Sequence, residues 1–340
     1  MELQFYYDSH EREQTELVSN GTLVQLYETF DMDFQHRFGL GSRQEILWGL
    51  GYRNIDDKFL GDFTTSLNPI QDTSELFSAF VQDDISFADG EVHLIVGSKF
   101  EHNAFTGLEI QPNIRMNWNV TEKYSIWSSI SHAVRTPARS TDIRINQRVI
   151  AGTPPRLVSI FGNPDIHSEK VTTFELGFRG EPYNNLKYDL AVFYNFYNDL
   201  RTFEQGAASV VLTPVPHVLV PIGTQNFMTG ETYGLELALD WRAKDWLKLT
   251  LAYSFLDMQL HRTSFSTATT AEAAEGESPE QQVSLRSSFD ITNNLFFDTW
   301  VRYVDELPDQ HMNAYITLDT RLAWKPVKGI ELSIVGQNHF

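Results

Sequence analysis

Arginine is the residue type with the clearest chemical potential in this sequence, because several arginines cluster in one polar stretch of an acidic chain. The chain has 26 lysine and arginine residues against 45 aspartate and glutamate residues, a formal net charge of −19. A guanidinium group recognises carboxylates and delocalised anions through paired N–H donors. We therefore expect an anionic ligand here, although balancing of neighbouring acids explains the cluster equally well. The candidate ligand-binding residues are Arg135, Arg139, Arg144, Arg148, Arg156 and Phe161.

Other reactive groups are absent from the sequence or scattered along it. There is no cysteine, which excludes disulfides and thiolate metal sites. The ten histidines show no HExxH or other close metal-ligand spacing, and no nucleophile elbow, P-loop or dinucleotide fingerprint occurs in a suitable context. The acidic balance also argues against a nucleic-acid partner, which needs a basic stripe. We expect no catalytic residue, no metal site and no cofactor, and hence no enzyme.

The segments between the polar stretches are apolar at every second residue. In residues 247–255, Leu249, Leu251 and Tyr253 point one way, whereas Lys248 and Thr250 point the other, which is the period of a β-strand. A lysine or arginine facing lipid near the membrane midplane costs about 2–4 kcal/mol, so an apolar face without charges predicts a lipid-facing surface. An antiparallel sandwich alternates in the same way. Three residues depart from the pattern and fall on apolar faces: His36, Asp83 and Pro112.

The order of the connections decides between these two folds. About fifteen such segments are joined alternately by a few turn-forming residues and by a long polar stretch, which places all short turns at one end and all long loops at the other. This order predicts an all-β, antiparallel transmembrane β-barrel. The predicted strands lie near 2–8, 22–38, 43–54, 75–88, 91–102, 108–119, 123–135, 171–181, 186–200, 229–242, 247–260, 280–291, 294–304, 314–325 and 329–338. The predicted long loops are 9–21, 55–74, 103–107, 136–170, 201–228, 261–279 and 305–313.

Tryptophan placement and hydropathy favour the same fold. Trp118, Trp241, Trp246 and Trp324 flank predicted short turns, as expected of an aromatic girdle at a membrane interface, although core aromatics at strand ends would look similar. The mean hydropathy is −0.29, and no run reaches the roughly 18 apolar residues of a membrane helix. A membrane-spanning form of this chain must therefore be a barrel.

Several short motifs occur in a characteristic order along these strands. Residues 131–137 read SHAVRTP, similar to S-x-A-[FV]-R-[TA]-P, and residues 162–177 are similar to G-N-P-x-L-x-P-E followed by E-x-G, with Ser168 in place of the second proline. Residues 230–237 match G-x-x-x-x-G-x-E-L, residues 80–84 resemble F-x-Q-D-E, and GQN at 336–338 resembles the element before a last hairpin. The sequence thereby resembles roughly the last two-thirds of the barrel of TonB-dependent outer-membrane receptors. The motif residues are Arg135, Thr136, Pro137, Asn163, Pro164, Glu169, Glu175, Gly234 and Glu236.

This resemblance implies a function as well as a fold. It implies one domain over residues 1–340, about 15 strands of a barrel of about 22, with the plug, the energy-coupling box, the first strands and the last strand outside the chain. Residues 2–8 already alternate like a strand, so we expect a fragment of a longer exported protein, which should not transport alone. Glu175 and Glu236 are expected to face the plug.

The implied protein is a receptor in the bacterial outer membrane that imports a ferric siderophore or a similar scarce nutrient. Its implied partners are the ligand, outer-membrane lipid and lipopolysaccharide, whose phosphates the arginines would also suit, and TonB through the plug. Haem is less favoured, since no histidine occurs from 138 to 162, although His167 follows closely. A passive porin-like or adhesin barrel, and a soluble β-sandwich, remain as alternatives.

Overall fold

The described part of the chain is almost entirely β-structure. The computed structural model describes residues 1–15, 22–61, 65–213 and 216–339, without the side chains of residues 140 and 147–149. These ranges contain nineteen strands and three short 3-10 helices, at Ala88–Gly90, Arg139–Asp142 and Ala271–Glu277. Within them, no helix has the length and hydropathy needed to cross a membrane.

Fifteen strands pair in chain order, and we call them the long strands; the four that lie within predicted loops we call the short strands. The long strands are β1 (Glu2–Thr15), β2 (Thr22–Leu40), β3 (Gln44–Leu60), β5 (Gln71–Phe87), β6 (Val92–Asn103), β7 (Gly107–Thr121), β8 (Tyr124–Arg135), β11 (Glu169–Tyr183), β12 (Leu186–Gln205), β14 (His217–Lys244), β15 (Leu247–Arg262), β16 (Gln281–Thr292), β17 (Leu295–Val304), β18 (Tyr315–Val327) and β19 (Ile330–Gly336). The short strands are β4 (Thr65–Leu67), β9 (Ile143–Ile150), β10 (Arg156–Phe161) and β13 (Ser209–Val211), although β9, with 8 residues, is longer than β19, with 7.

The fifteen long strands form one antiparallel meander in chain order. Each pairs with the next long strand along the chain, from β1–β2 to β18–β19. These are the fifteen strands that the sequence predicts. In the described residues, β1 pairs only with β2 and β19 only with β18.

The structure differs from the sequence prediction inside the long loops. Several long strands continue beyond their predicted ends, so that β3 reaches Leu60 and β12 reaches Gln205. The four short strands lie in stretches predicted as loops, and β10 pairs in parallel with β14. β4 and β13 have only three residues each, and β10 has adjacent apolar residues, so none of them shows a strand-length alternation. β9 does alternate, as Ile143, Arg144 and Ile145 show, but it lies in a stretch that the order of the connections assigns to a loop.

The register of the long strands separates an apolar face from a polar one. Leu251 lies opposite Leu239 and Leu285, whereas its neighbour Ala252 lies opposite Ala238 on the other face. Large apolar side chains on the first face are exposed, for example Leu176 at 53%. No other part of the described structure covers these apolar side chains, which agrees with a surface that contacts lipid.

The three exceptions on the apolar face each have a local explanation. Gln44 Nε2 donates to Asp83 Oδ2 at 2.8 Å, and the ring of His36 stacks on Phe38. Pro112 lies one residue beyond the first β7–β8 pair, Asn113 with Ser131, so its missing N–H removes no bond to β8.

The tryptophans lie where the sequence predicts an interface girdle. Trp118 and Trp241 are each 41% exposed, Trp324 is 47% exposed and Trp246 is 52% exposed, and all four flank short turns. They are not core aromatics, because a core side chain would be covered by its neighbours.

A charge on the apolar face should cost far more than the same charge one residue away. We expect Leu251→Arg to lower the free energy of unfolding in phospholipid bilayers by about 2–4 kcal/mol, because the guanidinium would face lipid midway along β15. Ala252→Arg, on the polar face at nearly the same depth, is the matched control and should be close to neutral. Denaturant titration of both variants measures this difference, and equal costs would contradict the assignment of the two faces.

Candidate ligand-binding site

A smaller group of strands, continuous with the meander through β14, joins three of the long loops at their membrane-distal ends. We call it the loop sheet, and it consists of β4, β9, β10, β13 and residues 217–223 of β14. β9 pairs with β4 on one side and with β10 on the other, and β10 continues in parallel register onto β14. Loops 55–74, 136–170 and 201–228 are therefore held together by backbone hydrogen bonds.

Arg139 anchors one end of the loop sheet. Its Nη1 donates to Asp57 Oδ1 at 2.7 Å, Nη2 donates to the Pro69 carbonyl oxygen, and Nε lies 3.3 Å from Asp142 Oδ2. The side chains of Arg139 and Asp57 are only 11% and 4% exposed. Burial raises the pKa of the Asp57 carboxyl, and the Arg139 guanidinium opposes this shift without cancelling it. Arg139 thus joins loop 136–170 to β3 and to loop 55–74.

An apolar cluster beside this ion pair completes the anchor. Leu23, Phe59 and Leu67 are buried together, and Ile143 at the start of β9 packs against them. The backbone N–H of Asn68 donates to the Asp142 carbonyl oxygen at 3.2 Å. Loops 55–74 and 136–170 consequently share a small core of their own.

Glu204 anchors the opposite end of the loop sheet. Ser266 Oγ and Thr267 Oγ1 donate to its carboxylate at 2.7 and 2.8 Å, and the Thr267 N–H donates as well. Burial raises the pKa of the Glu204 carboxyl, but hydrogen bonds from Thr202, Ser266 and Thr267 outweigh it and lower that pKa to about 2. The ionised carboxylate therefore holds loop 261–279 against the end of β12.

A cavity of about 300 Å³ lies between the loop sheet and the ends of β8, β11 and β12. We call it the loop cavity. Its walls are partly charged and partly aliphatic. The ends of β8, β11 and β12 contribute charged side chains, and β9 and β10 contribute isoleucines. The lining residues used below are Arg135, Ile143, Ile145, Ile160, Ile166, His167, Glu169, Arg201 and Phe203.

Two guanidinium groups line the loop cavity, and only one of them forms an ion pair with a carboxylate of the described residues. Arg135 Nη1 lies 3.1 Å from Glu169 Oε2, and Glu169 Oε1 also accepts from the backbone N–H of Arg201 at 2.9 Å. The guanidinium of Arg201 lies 5.5 Å from the centre of the Phe203 ring. Among the described residues, no carboxylate lies within ion-pair distance of the Arg201 side chain, so its charge is available to a ligand.

The structure separates the arginines that the sequence groups together. Arg135 lines the loop cavity, as do Thr136 and Pro137, whereas Arg139 is buried in the anchor described above. The guanidinium of Arg144 lies 5.2 Å from the centre of the Phe161 ring, on the loop sheet.

The remaining members of the predicted set lie elsewhere. Arg156 begins β10 with an exposed side chain, whereas the side chain of Arg148 lies outside the described part of the chain. Asn163 has a structural role, since its Nδ2 donates to the Thr224 carbonyl oxygen at 3.1 Å and its Oδ1 accepts from Asp165 N at 2.9 Å. Pro164 lies between these two bonded positions.

Sequence reasoning missed Arg201 and Phe203 as site residues. Arg201 directly follows the predicted end of β12, as Arg135 ends β8, and Phe203 is two residues further along. This position at the loop end of a strand was the available signal. His167 was noted only for haem, and its backbone is held by Asn226, whose Oδ1 accepts from His167 N at 2.8 Å.

The other motif residues lie on the polar face of the meander. Glu175 and Glu236 lie opposite Phe193 and Ala191, and Ser129 Oγ donates to Glu175. A Cβ atom at Gly234 would lie 2.6 Å from the Phe193 ring, so only glycine fits this close approach. Ser168, the departure from the motif, is buried, and its hydroxyl bonds Glu109 and Thr106 immediately before β11 begins.

Comparison with known proteins identifies the fold. A family model described as TonB dependent receptor-like, beta-barrel, matches residues 2–338. The chain belongs to this family. The predicted antiparallel transmembrane β-barrel is thereby confirmed, and the protein is one of the bacterial outer membrane. The family comprises receptors for transport rather than enzymes.

Individual relatives are distant in sequence. An iron-regulated outer membrane virulence protein of Vibrio cholerae is 22% identical over 191 residues, which is 56% of this chain and 28% of that protein. A mutant ferric enterobactin receptor from Pseudomonas aeruginosa, in complex with enterobactin, superposes with a TM-score of 0.72 at 16% identity, over 99% of this chain and 54% of that one. The siderophore receptor PirA from Acinetobacter baumannii gives 0.71 at 13% identity, over 99% and 55%.

These proteins are longer than the chain described here. The chain spans about half the length of the solved receptors and less than a third of the curated relative it matches. At such low identity the structural similarity establishes the fold alone.

Removal of Arg139 should loosen the loop sheet locally. We expect Arg139→Ala to lower the opening free energy of β4 and β9 by about 3–5 kcal/mol, because the carboxylate of Asp57 would stay buried without a partner. Amide hydrogen exchange of these strands measures the effect. Arg156→Ala, which removes an exposed arginine of β10, is the control. Adding Asp57→Asn to Arg139→Ala should restore part of the protection, and unchanged exchange in Arg139→Ala would contradict the anchor.

The Glu204 contact should respond to acid in a defined range. Because the pKa of Glu204 falls from 4.5 to about 2 on folding, its stabilising contribution is complete above pH 4.5 and is lost as the pH falls toward 2. We expect the exchange protection of the Thr267 amide, corrected for intrinsic rates, to decline across this range. Glu204→Gln should show a protection that is lower and independent of pH there. A wild-type protection that is flat over the same range would refute this role of the carboxylate.

Proposed function

We propose that this chain is the barrel portion of an active-transport receptor that captures a ferric siderophore and imports it with energy from TonB. The observation that carries the proposal is the loop cavity, which presents the Arg201 guanidinium and the Phe203 ring on the membrane-distal side of a TonB-dependent barrel. A cationic, partly apolar cavity in a chain of net charge −19 suits an anionic chelate better than a cation or a neutral sugar.

The names of the relatives support a role in iron uptake. One is an iron-regulated outer membrane protein, and the solved receptors include ones for ferric enterobactin and other siderophores. A ligand taken from outside meets the long loops first, so the loop cavity is well placed for initial capture. The capture step requires no catalytic residue and no cofactor, because the iron arrives as part of the ligand.

Within this proposal, the predicted arginines have different tasks. Arg135 contacts the ligand from the wall of the loop cavity. Arg144 with Phe161, together with Arg156, forms an outer surface of the loop sheet for first encounter or for lipopolysaccharide phosphates, and Arg148 stays a prediction from the sequence. Arg139 keeps the loops in place and does not contact the ligand, because three protein oxygens surround its buried guanidinium.

The polar face of the meander serves the inward step. Glu175 and Glu236 line a second cavity of about 610 Å³ on that face, together with Trp127 and Trp300. We propose that these carboxylates contact the plug, through which TonB acts, while the apolar face contacts lipid. A passive porin or adhesin would share the lipid contact but would not need the contact with a plug.

Energy dependence separates active import from passive diffusion. In cells that express a full-length receptor containing this chain together with its plug, we expect uptake of radiolabelled iron as its siderophore chelate, and we expect a protonophore to abolish uptake while surface binding persists. Arg135→Ala should reduce surface binding, because Glu169 would lose its ion-pair partner and its negative charge would repel an anionic ligand in the loop cavity, whereas Arg156→Ala should have a smaller effect. Uptake that continues unchanged with the protonophore would favour the passive barrel.

A further inference from the structure

The loop cavity discriminates between two classes of chelate that the charge alone leaves open. We propose that it takes a single flat aryl arm of the ligand, bearing one negative charge, and that it rejects hydroxycarboxylates. This inference rests on the proposed function and adds the chemical class of the group that enters the site, with Arg201 and Phe203 as the residues that determine specificity.

The size of the cavity limits what can enter. Its volume is about 300 Å³, the lower end of the roughly 300–1,000 Å³ found for sites that enclose a drug-sized molecule. A whole chelate with three arms around iron exceeds this space, whereas one aromatic ring with its polar substituents fits. The cavity therefore encloses one arm of the ligand and leaves the metal centre outside.

The walls of the cavity favour a ring over a tricarboxylate. Ile143, Ile145, Ile160 and Ile166 contribute aliphatic surface from the loop sheet and from the segment before β11. Transfer of an aromatic face onto such a surface is favourable, whereas a carboxylate placed against it loses its hydration without compensation. A citrate-like group would put at least one carboxylate against these isoleucines.

The charges of the cavity leave room for one anion. Arg135 already has an anionic partner, because its Nη1 lies 3.1 Å from Glu169 Oε2. Arg201 has no carboxylate partner among the described residues, and it lies over the Phe203 ring at 5.5 Å from the centre. An aryl arm that packs beside Phe203 would place its anionic substituent against the Arg201 fork, which can donate two parallel hydrogen bonds.

Small probes can test this arrangement directly. With the protein in outer-membrane vesicles, we expect 2,3-dihydroxybenzoate to bind and citrate neither to bind nor to compete, as measured by ligand-observed NMR. Arg201→Ala should weaken the binding of 2,3-dihydroxybenzoate about tenfold or more, because one charge-assisted contact is lost. Arg201→Lys should restore only part of the affinity, since an ammonium keeps the charge but not the planar fork.

Two further variants test the packing and the position of the site. Phe203→Leu keeps apolar volume and should weaken binding less than Phe203→Ala. Arg242→Ala removes an exposed arginine near the short turn after β14, on the opposite side of the barrel from the loops, and should leave binding unchanged. Circular dichroism and the exchange protection of β9 establish that the variants keep their fold.

The outcomes separate this inference from the proposed function. Equal binding of citrate and 2,3-dihydroxybenzoate, or no effect of Arg201→Ala on the aryl probe, overturns the inference. If ferric chelates bind and enter cells while the aryl probe does not bind, the inference fails and the receptor function stands. If no ferric chelate of any class binds, both fail.

Discussion

The requirement that every backbone polar group in a bilayer be hydrogen-bonded within the protein underlies this structure. Hydrocarbon offers no partner for an N–H or C=O group, so a spanning sheet must pair each strand along its length. The meander from β1 to β19 meets this requirement with neighbours in chain order, which keeps the pairing local. Its apolar side chains face outward, because lipid replaces the protein core as their environment.

Outside the membrane, the ends of the same strands and the loops between them are surrounded by water instead of hydrocarbon. Water can satisfy backbone groups there, so a loop becomes ordered only where further contacts offset the loss of conformational entropy. Two ionic anchors do so here. Arg139 joins β3 to loop 136–170 through Asp57, and Glu204 holds loop 261–279 through two hydroxyl groups. The loop sheet between these anchors turns separate loops into one wall.

The candidate site is a consequence of this architecture. Strands β8, β11 and β12 end side by side, so Arg135, Glu169 and Arg201 meet at one rim although they are distant in sequence. The isoleucines of β9 and β10 close the space from above. Glu169 pairs with the side chain of Arg135, but it contacts Arg201 through the backbone N–H and not through the guanidinium. The guanidinium of Arg201 is therefore the one that remains available.

The sequence alone determined the two faces, the fifteen-strand meander and the family. Alternation such as that of Leu249 and Leu251 can be read from neighbouring residues alone. Lipid excludes charge from the same face along the whole length of each strand, so the pattern recurs in every strand. Only the tertiary structure decided which arginines are free. Arg139, which the sequence groups with the other arginines, is buried in the structure against Asp57, 82 positions away in the chain. Arg201 was overlooked because the residues that surround it come from other loops. Pairing between distant loops depends on how they fold over one another, and no short sequence pattern records it.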